Sequence, residues 1–190
     1  DRPDIYDGQK KKFVPTETAV APNGEVYVAD GYGQPYIHRY SAKGEYRGSF
    51  GGSGDGPGQL KNCHGIKIDT RGPEPLVLVS DRGNERLQYF TLDGKHVRFS
   101  AKGIVRRPCT TEQFGAEIYI PDLNSRITIL DGQDQWVAHI GEREEGWKME
   151  GWPNIPHAKR EIGKFTSPHD IHLDRAGNIY LAEWISDGRV

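Results

Sequence analysis

One pattern recurs four times along the 190 residues and narrows the architectures open to the chain. In each copy an alternating apolar run, a glycine-bearing turn and a second run end on an acidic residue. The copies are AVAPNGEVYVAD (Ala19 to Asp30), GIKIDTRGPEPLVLVSD (Gly65 to Asp81), TTEQFGAEIYIPD (Thr110 to Asp122) and DIHLDRAGNIYLAE (Asp170 to Glu183). The acid is followed by Gly31-Tyr32, Arg82, Leu123 or Trp184. Repetition on this scale predicts a stacked or radial array of small sheets, with function where equivalent positions of successive repeats converge.

The terminal acids lie 51, 41 and 61 residues apart (30→81→122→183). A four-stranded propeller blade occupies roughly 40–50 residues, so the spacing fits blades with insertions. Third strands and further hairpins follow from Tyr36, Arg86 and Arg126, with turns at Ala42-Lys43-Gly44, Leu92-Asp93-Gly94 and Asp131-Gly132. Glycine and Asp-Gly suit the positive φ of such turns. Arg86, Gln88 and Phe90 alternate with Leu87 and Tyr89, which predicts a half-buried strand. No amphipathic helix is evident. The expectation is an all-β propeller of about three and a half blades in one domain, residues 1–190, with blades near 13–52, 59–101, 102–142 and 165–190. The chain opens on strand-like Phe13, Pro15 and Thr16, and Gly188-Arg189-Val190 reads as the start of a third strand. An open ring exposes strand edges, so these residues are expected to be a piece of a longer, six-bladed ring.

Composition limits the partners. The 24 glycines and 12 prolines suit a turn-rich β protein, and the net charge is −2. Basic residues are scattered apart from Lys10-Lys11-Lys12, which reads as a solvated terminus. Nucleic-acid binding would want a basic face, and no nucleic-acid partner is expected. No run of 18 apolar residues supplies a membrane span, and no signal peptide is visible. Cys63 and Cys109 could form a disulfide or remain thiols. The segment 143–164 breaks the rhythm with two tryptophans and two prolines. It reads either as a lid or as a surface excursion pinned by its tryptophans.

His64 and His169 occupy the same place in their units, just before the inner apolar runs HGIKID and HDIHLD. Rotation about a common axis would bring both imidazoles together, and zinc with an open position wants three N or O ligands. Either histidine can equally be a hydrogen-bonded packing residue. The first and third units carry Thr16-Glu17 and Cys109-Thr110 there, so a third histidine would have to come from elsewhere. His38, His96, His139, His157 and His172 read as structural or solvated. Tyr32 and Arg82 follow the second strands. A phenol near a divalent cation can act as a phenolate base, and an arginine can hold a carboxylate. The plainer reading is packing at blade tips, with Arg82 paired to Asp81 or Glu85.

These motifs resemble the NHL-repeat propellers, and within them the peptidyl-α-hydroxyglycine α-amidating lyases (peptidylamidoglycolate lyases). Pro15 to Val20 with Val28 to Tyr32 resembles the catalytic-tyrosine segment. Pro57-Gly58-Gln59-Leu60 leading to Cys63-His64-Gly65-Ile66 resembles a zinc-histidine segment. Val79 to Gln88 resembles a catalytic-arginine segment, and Phe165 to Ile171 resembles one bearing a zinc histidine and a calcium-ligating aspartate. The resemblance covers roughly residues 13–90 and 165–184. It implies cleavage of a C-terminal α-hydroxyglycine to a peptide amide and glyoxylate, with zinc on His64 and His169, Tyr32 as base, Arg82 positioning the substrate and Asp170 on a structural calcium. It also implies a small peptide or hemiaminal-type substrate and an extracellular or periplasmic location. The chain departs from the pattern at Cys63 (a proline in the family), Gly33 (a cysteine) and Ser167 (a methionine), and residues 101–164 match poorly.

Two other functions fit the same residues. A non-catalytic NHL module would bind protein partners on a propeller rim. A calcium-dependent lactonase-like hydrolase would draw its ligands from Asp30, Asp81, Asp122 and Glu183, although capping of neighbouring turns also explains an acid in that repeated slot.

Overall fold

A computed structural model describes residues 3–6 and 12–188. The predicted third strand at Arg189-Val190 and two of the three residues of the Lys10-Lys11-Lys12 cluster lie outside the described residues. The chain is all-β and consists of propeller-type blades. The first sheet runs β1 (Glu17–Val20), β2 (Val26–Ala29), β3 (Tyr36–Tyr40) and β4 (Tyr46–Gly51). The second runs β5 (Cys63–Asp69), β6 (Leu76–Asp81), β7 (Arg86–Phe90) and β8 (His96–Ser100). The third runs β9 (Glu112–Phe114), β10 (Glu117–Asp122), β11 (Arg126–Leu130) and β12 (Trp136–Ile140). The last has β13 (Pro168–Leu173) and β14 (Ile179–Glu183). Every sheet is an antiparallel meander in chain order.

The described residues form two compact units, Asp1–Lys102 and Gly103–Val190. In the first, apolar faces of two sheets share one core that includes Tyr27, Ile37, Ile66, Val77 and Phe90, with Leu60 and Cys63 beside them. In the second, Ile127 and Ile129 of β11 pack with Ile171, Leu173 and Leu181. Burying side chains of this size stabilises by about 1.5–3 kcal/mol each.

Two expectations change. Strand β7 is buried along its whole length rather than on one face. Its polar side chains bury because each finds a partner: Arg86 and Gln88 donate to Asp81, and Arg98 lies over the Tyr89 ring at 3.6 Å. In the β11–β12 hairpin the left-handed residue is Asp134 (φ 61), not Gly132. The Asp131 carboxylate accepts from the amides of Gln133 and Gln135 and holds that turn instead.

Segment 143–164 forms two short 3-10 turns, Gly146–Lys148 and His157–Lys159. Buried Ile155 anchors it, and Trp152 Nε1 donates to the Thr166 carbonyl at 2.9 Å. Arg106 stacks on Trp147 at 4.2 Å. Trp147 and Trp152 thus tie the segment to its surroundings.

Candidate metal and catalytic site

The repeated acid ties each sheet together. Asp30, Asp81 and Asp122 are fully buried and Glu183 is 8% exposed. Each accepts a backbone N–H from the segment that leads into its own sheet: Val14 to Asp30 at 2.6 Å, Lys61 to Asp81 at 2.8 Å, Arg107 to Asp122 at 2.6 Å, and Thr166 and Ser167 to Glu183. A buried carboxylate must be hydrogen-bonded or paired; all four are hydrogen-bonded, and Asp81 and Asp122 are also ion-paired. Arg86 and Arg126 pair with Asp81 and Asp122 from the neighbouring strand. Asp30 faces the Tyr6 hydroxyl instead, and Tyr6 also meets His38 Nε2 at 3.0 Å. These acids are clasps, and that role accounts for their recurrence without a metal.

The clasp also fixes what comes next. In the second sheet Cys63 pairs with Asp81, but Gly65 pairs with Ser80, so His64 is an extra residue in the register. In the last sheet Pro168 pairs with Glu183 and Asp170 with Ala182, so His169 is extra in the same way. Such bulges bend a strand and re-aim a side chain. Both histidines therefore project at a register where regular strand residues do not.

In the first unit the bulge brings His64 to Tyr32, with Nε2 3.1 Å from the phenol oxygen and the rings edge to face at 5.3 Å. Arg82 donates to the same oxygen at 3.1 Å, and its Nε donates to Asn62 Oδ1 at 2.6 Å. Asn62 in turn donates to the Gly31 carbonyl at 2.7 Å. His64 and Arg82 are nearly buried, whereas Tyr32 is 55% exposed. Gly33 is required: a Cβ there would lie 2.2 Å from an Asp30 carboxylate oxygen and 2.3 Å from the Lys12 carbonyl. Tyr32 thus sits on a turn clamped by the acid clasp. Arg82 bonds Tyr32 and Asn62, and Arg86 pairs with Asp81.

In the second unit Cys109 is fully buried, and its Sγ lies within 4.8 Å of a His169 ring nitrogen. Thiolate and imidazole together suit zinc, so this unit carries donors that can hold a metal. A tetrahedral zinc separates its sulfur and nitrogen ligands by roughly 3.6 Å, from bonds of about 2.3 and 2.1 Å. Asp170 is exposed, and its Oδ1 accepts from the Thr110 hydroxyl at 3.1 Å and the Ile171 amide at 2.9 Å. Neither Cys63 nor Cys109 is in a disulfide. Cys63 belongs to the first unit's core, where burial pushes its thiol well up. His157 and His172 are exposed, and His38 is buried in the Tyr6 network. The sequence reading passed over Asn62 and Tyr6, and it placed Cys109 in the histidine slot without reading it as a ligand. The signal for Cys109 was its place directly after Pro108, matching His169 after Pro168.

No protein-family model matches the chain. Among curated proteins, it is 30% identical over 204 residues to peptidyl-alpha-hydroxyglycine alpha-amidating lyase 1 of Drosophila melanogaster, covering 93% of this chain and 34% of that protein. The chain is a sequence relative of the amidating lyases. The rat (Rattus norvegicus) peptidylglycine alpha-amidating monooxygenase is 28% identical over 182 residues, 89% of this chain and 17% of that protein. The chain thus spans about a third or less of these relatives. Among solved structures, virginiamycin B lyase from Staphylococcus aureus superposes with a TM-score of 0.60 at 13% identity, over 96% of this chain and 55% of that one. That likeness shows the propeller-type fold alone. No helix among the described residues is long and apolar enough to cross a membrane.

Proposed function

We propose that this chain forms part of a metal-dependent lyase that cleaves a C-terminal α-hydroxyglycine to an amide and glyoxylate. The observation that supports it most is the Tyr32 oxygen held between His64 and Arg82. The names of the relatives accord with a peptide-type substrate.

Tyr32 takes the proton of the α-hydroxyl as the C–N bond breaks and the carbonyl of glyoxylate forms. The Tyr32 phenol returns that proton to the departing nitrogen, which leaves as the peptide amide. Arg82, planted by Asn62, stabilises negative charge on the phenol oxygen and offers a cation to the substrate carboxylate. His64 and His169 are the proposed zinc ligands, and Asp170 the proposed ligand of a structural calcium. A bound zinc ion would supply Lewis acidity towards substrate oxygen.

Glyoxylate release from an α-hydroxyglycyl peptide by the full-length protein tests the reading. Tyr32→Phe should lower kcat by about 10²–10⁴-fold, the range for losing a general base. Its Tm should hold, because the side chain is 55% exposed. Unchanged turnover would remove Tyr32 as the base. No glyoxylate from the metal-loaded wild type would favour the binding module.

A further inference from the structure

We propose that the Cys109 thiolate ligates the same metal ion as His169, adding sulfur to a centre that the lyase resemblance furnishes with histidines alone. The inference rests on the metal-dependent reading above and deepens it.

Strand register carries the first part. In three sheets the residue opposite the clasping acid is known: Cys63 faces Asp81, Pro108 faces Asp122 and Pro168 faces Glu183. The next residues are His64, Cys109 and His169. His64 and His169 are the extra residues of bulges. The third sheet slips in the same way, because four steps from Pro108 to Glu112 match three steps from Asp122 to Tyr119. Cys109 therefore occupies the slot that carries histidine in two other sheets. Distance carries the second part, with Sγ and a His169 ring nitrogen within 4.8 Å.

Cys63 provides the internal contrast. It stands one place earlier, in the paired position, and its Sγ points to the Tyr36 carbonyl at 3.9 Å within the core. Cys109 Sγ likewise meets a carbonyl, that of Arg107 at 3.8 Å, but Cys109 stands one place later, in the slot after the residue that faces the acid.

On binding, the Cys109 S–H proton goes to solvent as the sulfur–metal bond forms. One thiolate and one neutral imidazole leave a net charge of +1 on a divalent ion. The thiolate favours zinc over harder cations such as magnesium.

The test uses full-length protein stripped of metal and reloaded with cobalt(II), read by absorption. The wild type should show a thiolate-to-cobalt charge-transfer band in the near ultraviolet beside the visible d–d bands. Cys109→Ser and Cys109→Ala should lose that band and weaken metal affinity on the order of 100-fold, at the upper end of what loss of a supporting partner costs. Cys63→Ser should keep the band. X-ray absorption of the zinc-loaded wild type needs no variant, and should show one sulfur scatterer. Bound cobalt without the band in wild type, or a band that survives loss of Cys109, would overturn the assignment while leaving the metal-dependent reading intact. A wild type that binds no metal would overturn that reading and this inference together.

Discussion

The first two sheets share a core and a repeat, yet they treat the same two positions differently. In the second sheet His64 is squeezed out of register and turned towards Tyr32. In the first sheet the corresponding residue, Glu17, pairs regularly with Ala29, and its carboxylate accepts the Ile66 amide at 2.9 Å. One extra residue separates a side chain that stitches sheets together from one that can do chemistry. The clasps differ as well. Asp81 is neutralised by Arg86 and bonded by Gln88, whereas Asp30 meets Tyr6, which leans on His38. His38 stands opposite Val28 as Gln88 stands opposite Val79, so the positions are equivalent. The second sheet's clasp rests on a permanent cation and the first sheet's on groups that titrate.

The largest test of this contrast is deletion of His64, which would give the second sheet the first sheet's register. Metal binding and glyoxylate release should vanish while the circular dichroism of the β-sheets persists. Metal retained by the deletion variant would break the link between bulge and ligand.

The next effect is on stability against pH. Burial pushes His38 down from 6.5 to about 4, partly countered by Asp30. Between those values the unfolded chain binds a proton that the folded one refuses. Stability should therefore be full above about pH 6.5 and fall by roughly 3 kcal/mol towards pH 4. Denaturant melts at several pH values should show that slope in the wild type and its loss in His38→Gln. An equal slope in both would place the titrating group elsewhere.

The smallest effect is expected at Glu17→Gln, whose amide oxygen still accepts from Ile66. A change below about 1 kcal/mol and an unaltered kcat are expected. A large loss of activity would show that the regular position also serves the chemistry.

Much of this was legible in the residues. The acid at the end of each second run and the turns at Gly44 and Gly94 mark the meanders, and both glycines have positive φ. Tyr32 and Arg82 could be picked out because each follows a run whose period is visible, and His64 because it directly precedes one. The bulges were not legible, since an unpaired residue is a property of two strands in register and not of either alone. The place of Cys109 in the histidine slot was legible, but its role as a donor was not, because the slot is defined by the bend of the strand and not by residue type. Strand β7 misled for a related reason: alternation marks two faces but not whether both are covered. Tyr6 lies outside the repeats, 24 residues before the acid it meets.

Trp152 donates its indole N–H to the Thr166 carbonyl, and its ring lies 6.5 Å from that of Trp184. Thr166 stands three positions before His169, on the backbone that the Glu183 clasp grips. The excursion thereby carries an intrinsic fluorophore wired to the last sheet. Ion uptake at His169 should register in tryptophan emission without any attached dye, which makes metal titrations and stopped-flow kinetics accessible on unlabelled protein.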